Sequence, residues 1–310
     1  MNTYWRKNFS WSKSRQGLLG DCPLAYYYTY IGRYEQDNEA KIISSLVKLK
    51  KFIFYKGEII HNAIRNQITQ HCVGRPVSLV AAKNFLKMEF KKAFDNQGLF
   101  LSEAYNGFPL DEAFFKAQEE DALGQLENFF SIIWHNYQSL PILTHERLEH
   151  FFLEDIKVWV QPDLVTKNSA GNLMISDWKT GLSERAVPDD DLQLSVYILW
   201  ASLHFGVAFE QIGAELVYLK STQSFPTRRS AIQIDELKAH ILNEARRMLD
   251  AKDRGEFVPR PRFNLCRGCN FATICPDSSL KSQIGIDIHE GRGTLRLRSG
   301  QARDEGRAGK

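Results

Sequence analysis

The sequence has no apolar run approaching the roughly 20 residues that a bilayer crossing requires, so a transmembrane helix is not expected. Its start, Met1-Asn2-Thr3-Tyr4-Trp5-Arg6-Lys7, lacks the apolar core of a secretory signal, which makes the cytoplasm the default location. No G-x-x-x-x-G-K-[ST] occurs, so the chain carries no P-loop motor of its own. No repeat of 20–50 residues is visible, which argues against a solenoid or propeller. Net charge is small, +3 over 310 residues. The seven basic and four acidic residues of 281–310 account for that surplus and leave the remainder formally neutral. A phosphate-binding surface must therefore come from local arrangement, not bulk charge. Cysteine is sparse as well: Cys22, Cys72, Cys266, Cys269 and Cys275. An odd number without a secretory signal fits a reducing compartment, where cysteines more often hold metal than form disulfides.

What is present is an ordinary globular balance, 43% hydrophobic and 25% charged residues, enough for a substantial core. Cys22 to Tyr34 is aromatic-rich and predicts a helix, as does Lys56 to Ile68. Val80 to Tyr137 carries apolar residues at helical spacing, Phe85, Met88, Phe90 and Phe94 among them, and reads as part of a helical insertion over about 65–145. The pattern then changes. Ile156-Lys157-Val158-Trp159-Val160 predicts a strand that Asp163-Leu164-Val165 continues. Asn168 to Asn172 predicts a turn, and Leu173 to Lys179 the returning strand. Pro188 punctuates a loop, and helices are expected over Leu192–Leu203 and Ile234–Ala251 around a strand at Ala214–Lys220. Strands flanked by helices indicate an α/β protein, with one domain over 1–280. Residues 281–310 have no burial pattern and predict a disordered tail.

On a strand over Leu173–Lys179, Asp177 and Lys179 project from the same face, and Asp163 lies on the neighbouring strand of the hairpin. Two carboxylates and a lysine at one end of a sheet suit phosphodiester hydrolysis. A divalent ion neutralises the phosphate and lowers the pKa of an attacking water. Mg²⁺ keeps several waters and needs few carboxylate anchors. A lysine beside it can hold the nucleophile or stabilise the developing charge. The ordinary alternative is a surface hairpin with unremarkable charges. Gln193 and Tyr197, four residues apart, share one face of the next helix. A lone histidine such as His61 is more often structural than a ligand.

Near the C-terminus, Cys266-Arg267-Gly268-Cys269 and Cys275 form C-x₂-C-x₅-C. Three thiolates supply three corners of a tetrahedral site, and Cys22 in Cys22-Pro23 is the best candidate for the fourth. Zinc accepts four thiolates as well as an iron–sulfur cluster does, so ligand type leaves the metal open. Cys72 reads as a small buried residue.

Gly57-Glu58-Ile59-Ile60-His61, Gln161-Pro162-Asp163, Asp177-Trp178-Lys179 and Gln193-Leu194-Ser195-Val196-Tyr197 together resemble the ordered GxxxH, PD, DxK and QxxxY elements of RecB-type nuclease domains in the PD-(D/E)XK superfamily. The resemblance implies a restriction-endonuclease-like α/β core with a mixed central sheet flanked by helices. It implies that His61, Asp163, Asp177 and the carbonyl of Trp178 bind Mg²⁺ or Mn²⁺, that Asp163, Asp177 and Lys179 are catalytic, and that Gln193 and Tyr197 contact DNA. The x₂/x₅ spacing with a distant Cys-Pro is similar to the iron–sulfur signature of these nucleases and of CRISPR-associated exonucleases. That implies a [4Fe–4S] cluster on Cys22, Cys266, Cys269 and Cys275, with zinc the alternative, fastening the two ends of the chain together. The expected activity is exonucleolytic, on single-stranded DNA or DNA ends, in repair, recombination or CRISPR-associated processing. A helicase or a CRISPR-associated protein is the expected partner. The competing reading is a non-catalytic iron–sulfur or zinc scaffold that binds nucleic acid.

Overall fold

A computed structural model describes residues 8–35, 38–181 and 188–277. The tail expected at 281–310 lies outside them. The principal helices are α1 (Lys13–Asp21), α2 (Pro23–Tyr30), α3 (Asn38–Leu46), α4 (Phe52–Cys72), α5 (Leu79–Asp95), α6 (Glu112–Asn128), α7 (Pro188–Phe205) and α8 (Ala231–Asp253). The strands are β1 (Ser10–Trp11), β2 (Ile142–His145), β3 (Glu149–Leu153), β4 (Ile156–Val160), β5 (Leu164–Lys167), β6 (Leu173–Lys179), β7 (Ile212–Tyr218) and β8 (Ser224–Thr227).

The mixed α/β architecture matches the expectation, with one difference in the sheet. Two mixed sheets form: a five-stranded one in the order β2-β5-β6-β7-β8, and a three-stranded one in the order β1-β4-β3. The single run expected from Ile156 through Val165 is broken at Gln161-Pro162-Asp163. Proline there has no N–H to give a ladder, so β4 and β5 belong to different sheets. Helix α7 starts at Pro188, because proline suits a first helical turn as well as a loop. Strands β1, β2, β3 and β8 are too short or too irregular in pattern to have been expected.

β6 and β7 pair in parallel from Leu173↔Ile212 to Lys179↔Tyr218 at the centre of the large sheet. Every residue of β7 is buried, as befits a strand covered on both faces. On one side α7 packs against β7, and α8 and the small sheet pack against α7, in a shared core of Leu194, Ile198, Ile241, Val158 and their neighbours. Against the other pack α4, α5 and α6, through Ile60, Ile64, Leu86 and Leu126 around Trp178 and Val217. Helix α5 buries Ala82, Leu86, Phe90 and Ala93. Its Met88 is exposed and Phe94 lies at the edge, so those two apolar residues mark the solvent side. Ser78 and Asp111 cap α5 and α6 by accepting main-chain N–H groups at 3.1 and 2.7 Å. Cys72, expected to be buried, is exposed in the last turn of α4. The last residue that the helix buries is Ile68, one turn earlier, so the thiol is only partly covered.

Candidate active site

The residues singled out on β6 meet at its C-terminal end. The pair Leu164↔Ser176 sets the register, which brings Asp163, one residue before β5, opposite Asp177. Both carboxylates are buried. Asp163 accepts the Trp178 N–H on Oδ2 at 2.6 Å and faces His61 Nδ1 with Oδ1 at 3.2 Å. The Trp178 indole is buried edge-on against Phe129 and Tyr137, so this residue presents its main chain to the cleft. Lys179 Nζ stands 2.9 Å from Asp177 Oδ2 and donates to Gln193 Oε1 at 3.0 Å. Gln193 Nε2 donates to Asp177 Oδ1 at 2.9 Å and to the Tyr197 hydroxyl at 2.7 Å. Tyr197 in turn donates to the Gln161 carbonyl at 2.9 Å. The four-residue spacing on α7 thus converts into one chain of hydrogen bonds along the floor of the site.

His61 arrives from α4. A Cβ at Gly57, one turn earlier, would sit 3.2 Å from Thr180 Oγ1. The missing side chain lets the helix lie close to the end of β6.

Sequence reasoning missed Glu146. It lies between β2 and β3 with φ of 47°, held by N–H contacts to the Pro162 and Asp163 carbonyls, both 3.1 Å. Its carboxylate reaches His61 Nδ1 at 3.0 Å. Donor atoms of His61, Glu146 and Asp163 all lie within 4.8 Å of one another. Asp177 stands outside that trio, engaged by Lys179 and Gln193. No local pattern announces a left-handed glutamate in a loop. Arg65, which also lines the cleft, had a signal: it follows His61 by four residues and so shares its face.

Burial pushes Asp163 up to about 7, with the pull of His61 against the shift and the repulsion of Asp177 behind it. Burial alone would lower His61, but Asp163 and Glu146 overrule it and hold the imidazole well above its ordinary value. The pair therefore keeps a proton that a cation would displace. Carboxylate oxygens with one imidazole, in an open cleft of about 560 Å³, form a donor set that fits Mg²⁺ or Mn²⁺.

The four cysteines gather elsewhere. Cys22 caps α2, and Cys269 packs with it in an apolar cluster of Tyr28, Leu46, Leu49 and Phe271. Burial first, then the nearby Cys22 and Cys266 thiols, push Cys269 up to about 11. The same two neighbours add to the burial that raises Cys275. Among the described residues, no three of these sulfurs come within 4.8 Å of one another. The segment is fastened by Ser102 Oγ to the Gly268 carbonyl, Asn106 Nδ2 to the Cys269 carbonyl and Lys51 Nζ to the Leu265 carbonyl, at 2.9, 2.9 and 3.0 Å.

Comparison with known proteins gives a family. The family profile described as the PD-(D/E)XK nuclease superfamily matches residues 10–276. No curated protein matches the chain. A solved structure titled "Crystal structure of SSO0001" is similar over 53% of this chain and 79% of that one, at 18% identity and a TM-score of 0.30.

Proposed function

This chain belongs to the PD-(D/E)XK nuclease superfamily, and we propose that it is a metal-dependent DNA exonuclease of the RecB type, acting on single-stranded DNA or DNA ends. We read 1–280 as one nuclease domain with the helices of 65–145 inserted into it. The observation that carries the proposal is the meeting of His61, Asp163, Asp177 and Lys179 in one cleft, with Gln193 and Tyr197 as its floor. His61, Asp163, Asp177 and the Trp178 main chain would hold the ion, with Glu146 beside them. Bound Mg²⁺ or Mn²⁺ supplies charge neutralisation at the phosphate and a more acidic water. Lys179, fixed between Asp177 and Gln193, is placed to donate to the attacking oxygen or to the developing phosphorane charge. Gln193 sets the positions of both its neighbours. It and Tyr197 lie where DNA would pass, and Arg65 offers a further phosphate donor.

Two features support the finer placement. The four motif elements occur in the order of RecB-type nucleases, and Cys22, Cys266, Cys269 and Cys275 gather where a [4Fe–4S] cluster would join the chain ends. Repair, recombination or CRISPR-associated processing, with a helicase or CRISPR-associated partner, is the context that this kinship suggests.

The test is digestion of labelled single-stranded DNA with Mn²⁺ after anaerobic purification. Asp177→Ala and Lys179→Ala should each lose activity by about 10²-fold or more while keeping the fold. Cleavage at the parent rate in either variant removes the assignment. A parent that binds DNA but never cuts it indicates the non-catalytic scaffold instead.

A further inference from the structure

The small sheet turns one face to the core and the other outward. Its inner face buries Phe151, Ile156, Val158 and Val160. The outer face carries the alternate residues, and the register sets His150 opposite Trp159 and Phe152 opposite Lys157. The His150 and Trp159 rings lie 5.2 Å apart, and His150 meets Phe152 edge-on at 5.7 Å. Lys157 Nζ stands 3.9 Å over the Trp159 ring. Phe152 is 61% exposed, although a phenylalanine on a strand would ordinarily be turned to the core. The half-buried Trp159 donates its N–H to the buried Ser10 Oγ at 3.1 Å, which fixes the orientation of its ring on this face.

This face runs into the catalytic cleft. Beside Trp159 opens a second cleft of about 480 Å³, lined by Lys13, Arg15, Tyr30 and Trp159 and sharing Gln161, Gln193 and Tyr197 with the active site. Arg15 is held 4.4 Å over the Tyr30 ring. Aromatic rings interleaved with cations thus lead along β4 to the candidate nucleophile site, with side chains on one face recurring about every 6.6 Å.

We propose that this outer face and adjoining cleft form a stacking platform for single-stranded DNA on its way to the scissile phosphate. Unpaired bases stack on the exposed Phe152 ring and on Trp159 as a backbone phosphate draws Lys157 off the ring it covers, while Lys13 and Arg15 take further phosphates. Rings standing on an open sheet face suit single strands, because base faces in a duplex are already covered by their neighbours. The cations match a polyanion, and the shared lining residues make the surface continuous with the site. The platform rests on the nuclease reading for its destination, but strand binding by it needs no catalysis.

The experiment is a fluorescence-anisotropy titration of the full chain in EDTA, with a labelled oligothymidylate and with a duplex of equal length. The parent should prefer the single strand. Phe152→Ala, at a ring 61% exposed, should leave the melting temperature unchanged and weaken single-strand binding about fivefold or more, and Trp159→Ala should weaken it about tenfold or more. Lys157→Gln should flatten the salt dependence by close to one ion. Parent-like single-strand affinity in both Phe152→Ala and Lys157→Gln overturns the platform, as does a parent that binds duplex at least as tightly. A parent that binds the strand through these residues yet never cuts removes the nuclease reading and leaves the platform standing. A parent that cuts, with binding indifferent to all three substitutions, does the reverse.

Discussion

Asp163 divides its two oxygens between the main chain of the strand it faces and the imidazole opposite, 2.6 and 3.2 Å away. A carboxylate with its pKa near 7 beside a histidine held well above its ordinary value retains a proton at neutral pH. A divalent ion must displace that proton, so Mn²⁺ affinity should climb by about tenfold per pH unit between roughly pH 6 and 8. Calorimetry in buffers of different ionisation heat would show the release, and a pH-independent affinity would count against Asp163 as a ligand. Glu146 lies on the same imidazole. Glu146→Gln keeps its shape and one acceptor oxygen for His61 Nδ1, giving up only the long bond from Gln161 Nε2 at 3.4 Å, and should weaken Mn²⁺ binding by about 10- to 100-fold with the melting temperature little changed. Unaltered Mn²⁺ affinity would make Glu146 a scaffold for His61 alone.

Helix α6 does more than fill the second apolar layer. Its Asp121 joins the buried Lys56 of α4 at 2.5 Å and Lys220 beyond β7 at 2.8 Å, while Gln125 and Asn128 reach the Thr180 and Leu219 carbonyls. These bonds tie two helices to the strand ends that carry the site. Burial works against Asp121 ionising, but hydrogen bonds from Lys220, Lys56 and Gln125 overcome it and hold the group at about 2. Its folded pKa is thus below the unfolded value of about 3.9. The stabilisation is complete above that value and is lost as pH falls through about 2. Solvent reaches this carboxylate and its Lys220 partner, which screens the pair, so Asp121→Asn should cost only about 1 kcal/mol at neutral pH, read by urea unfolding. The gap between parent and variant should close as pH is lowered from 4 towards 2. A gap that persists there would mean lost packing, not lost charge.

At the scale of the molecule, Cys22 near one end and Cys266, Cys269 and Cys275 near the other close almost the whole described chain into a loop. A crosslink across so long a loop contributes on the order of 5 kcal/mol through the entropy of the unfolded chain. With a [4Fe–4S] cluster in place, anaerobically purified protein should be brown. Cys266→Ser should lose the colour and the iron and melt at least about 5 °C lower. A colourless parent containing zinc would replace the cluster while keeping the clasp. A variant that melts with the parent would show that the apolar contacts of Tyr28, Leu46 and Phe271 hold the ends unaided.

The sequence by itself determined the mixed α/β class, the strand that carries Asp177 and Lys179, and the helix face shared by Gln193 and Tyr197. Each follows from a local periodicity of two or of about four residues, which neighbouring side chains impose directly. It also marked the four cysteines, whose spacing is a chemical signal independent of fold. Only the tertiary structure decided that β4 and β5 part into separate sheets, that Glu146 swings in beside His61, and that Phe152 and Trp159 stand outward on a face continuous with the cleft. Those facts depend on which distant segments pair and on one residue's left-handed turn. The burial of long-range neighbours selects such features, and no local pattern encodes them.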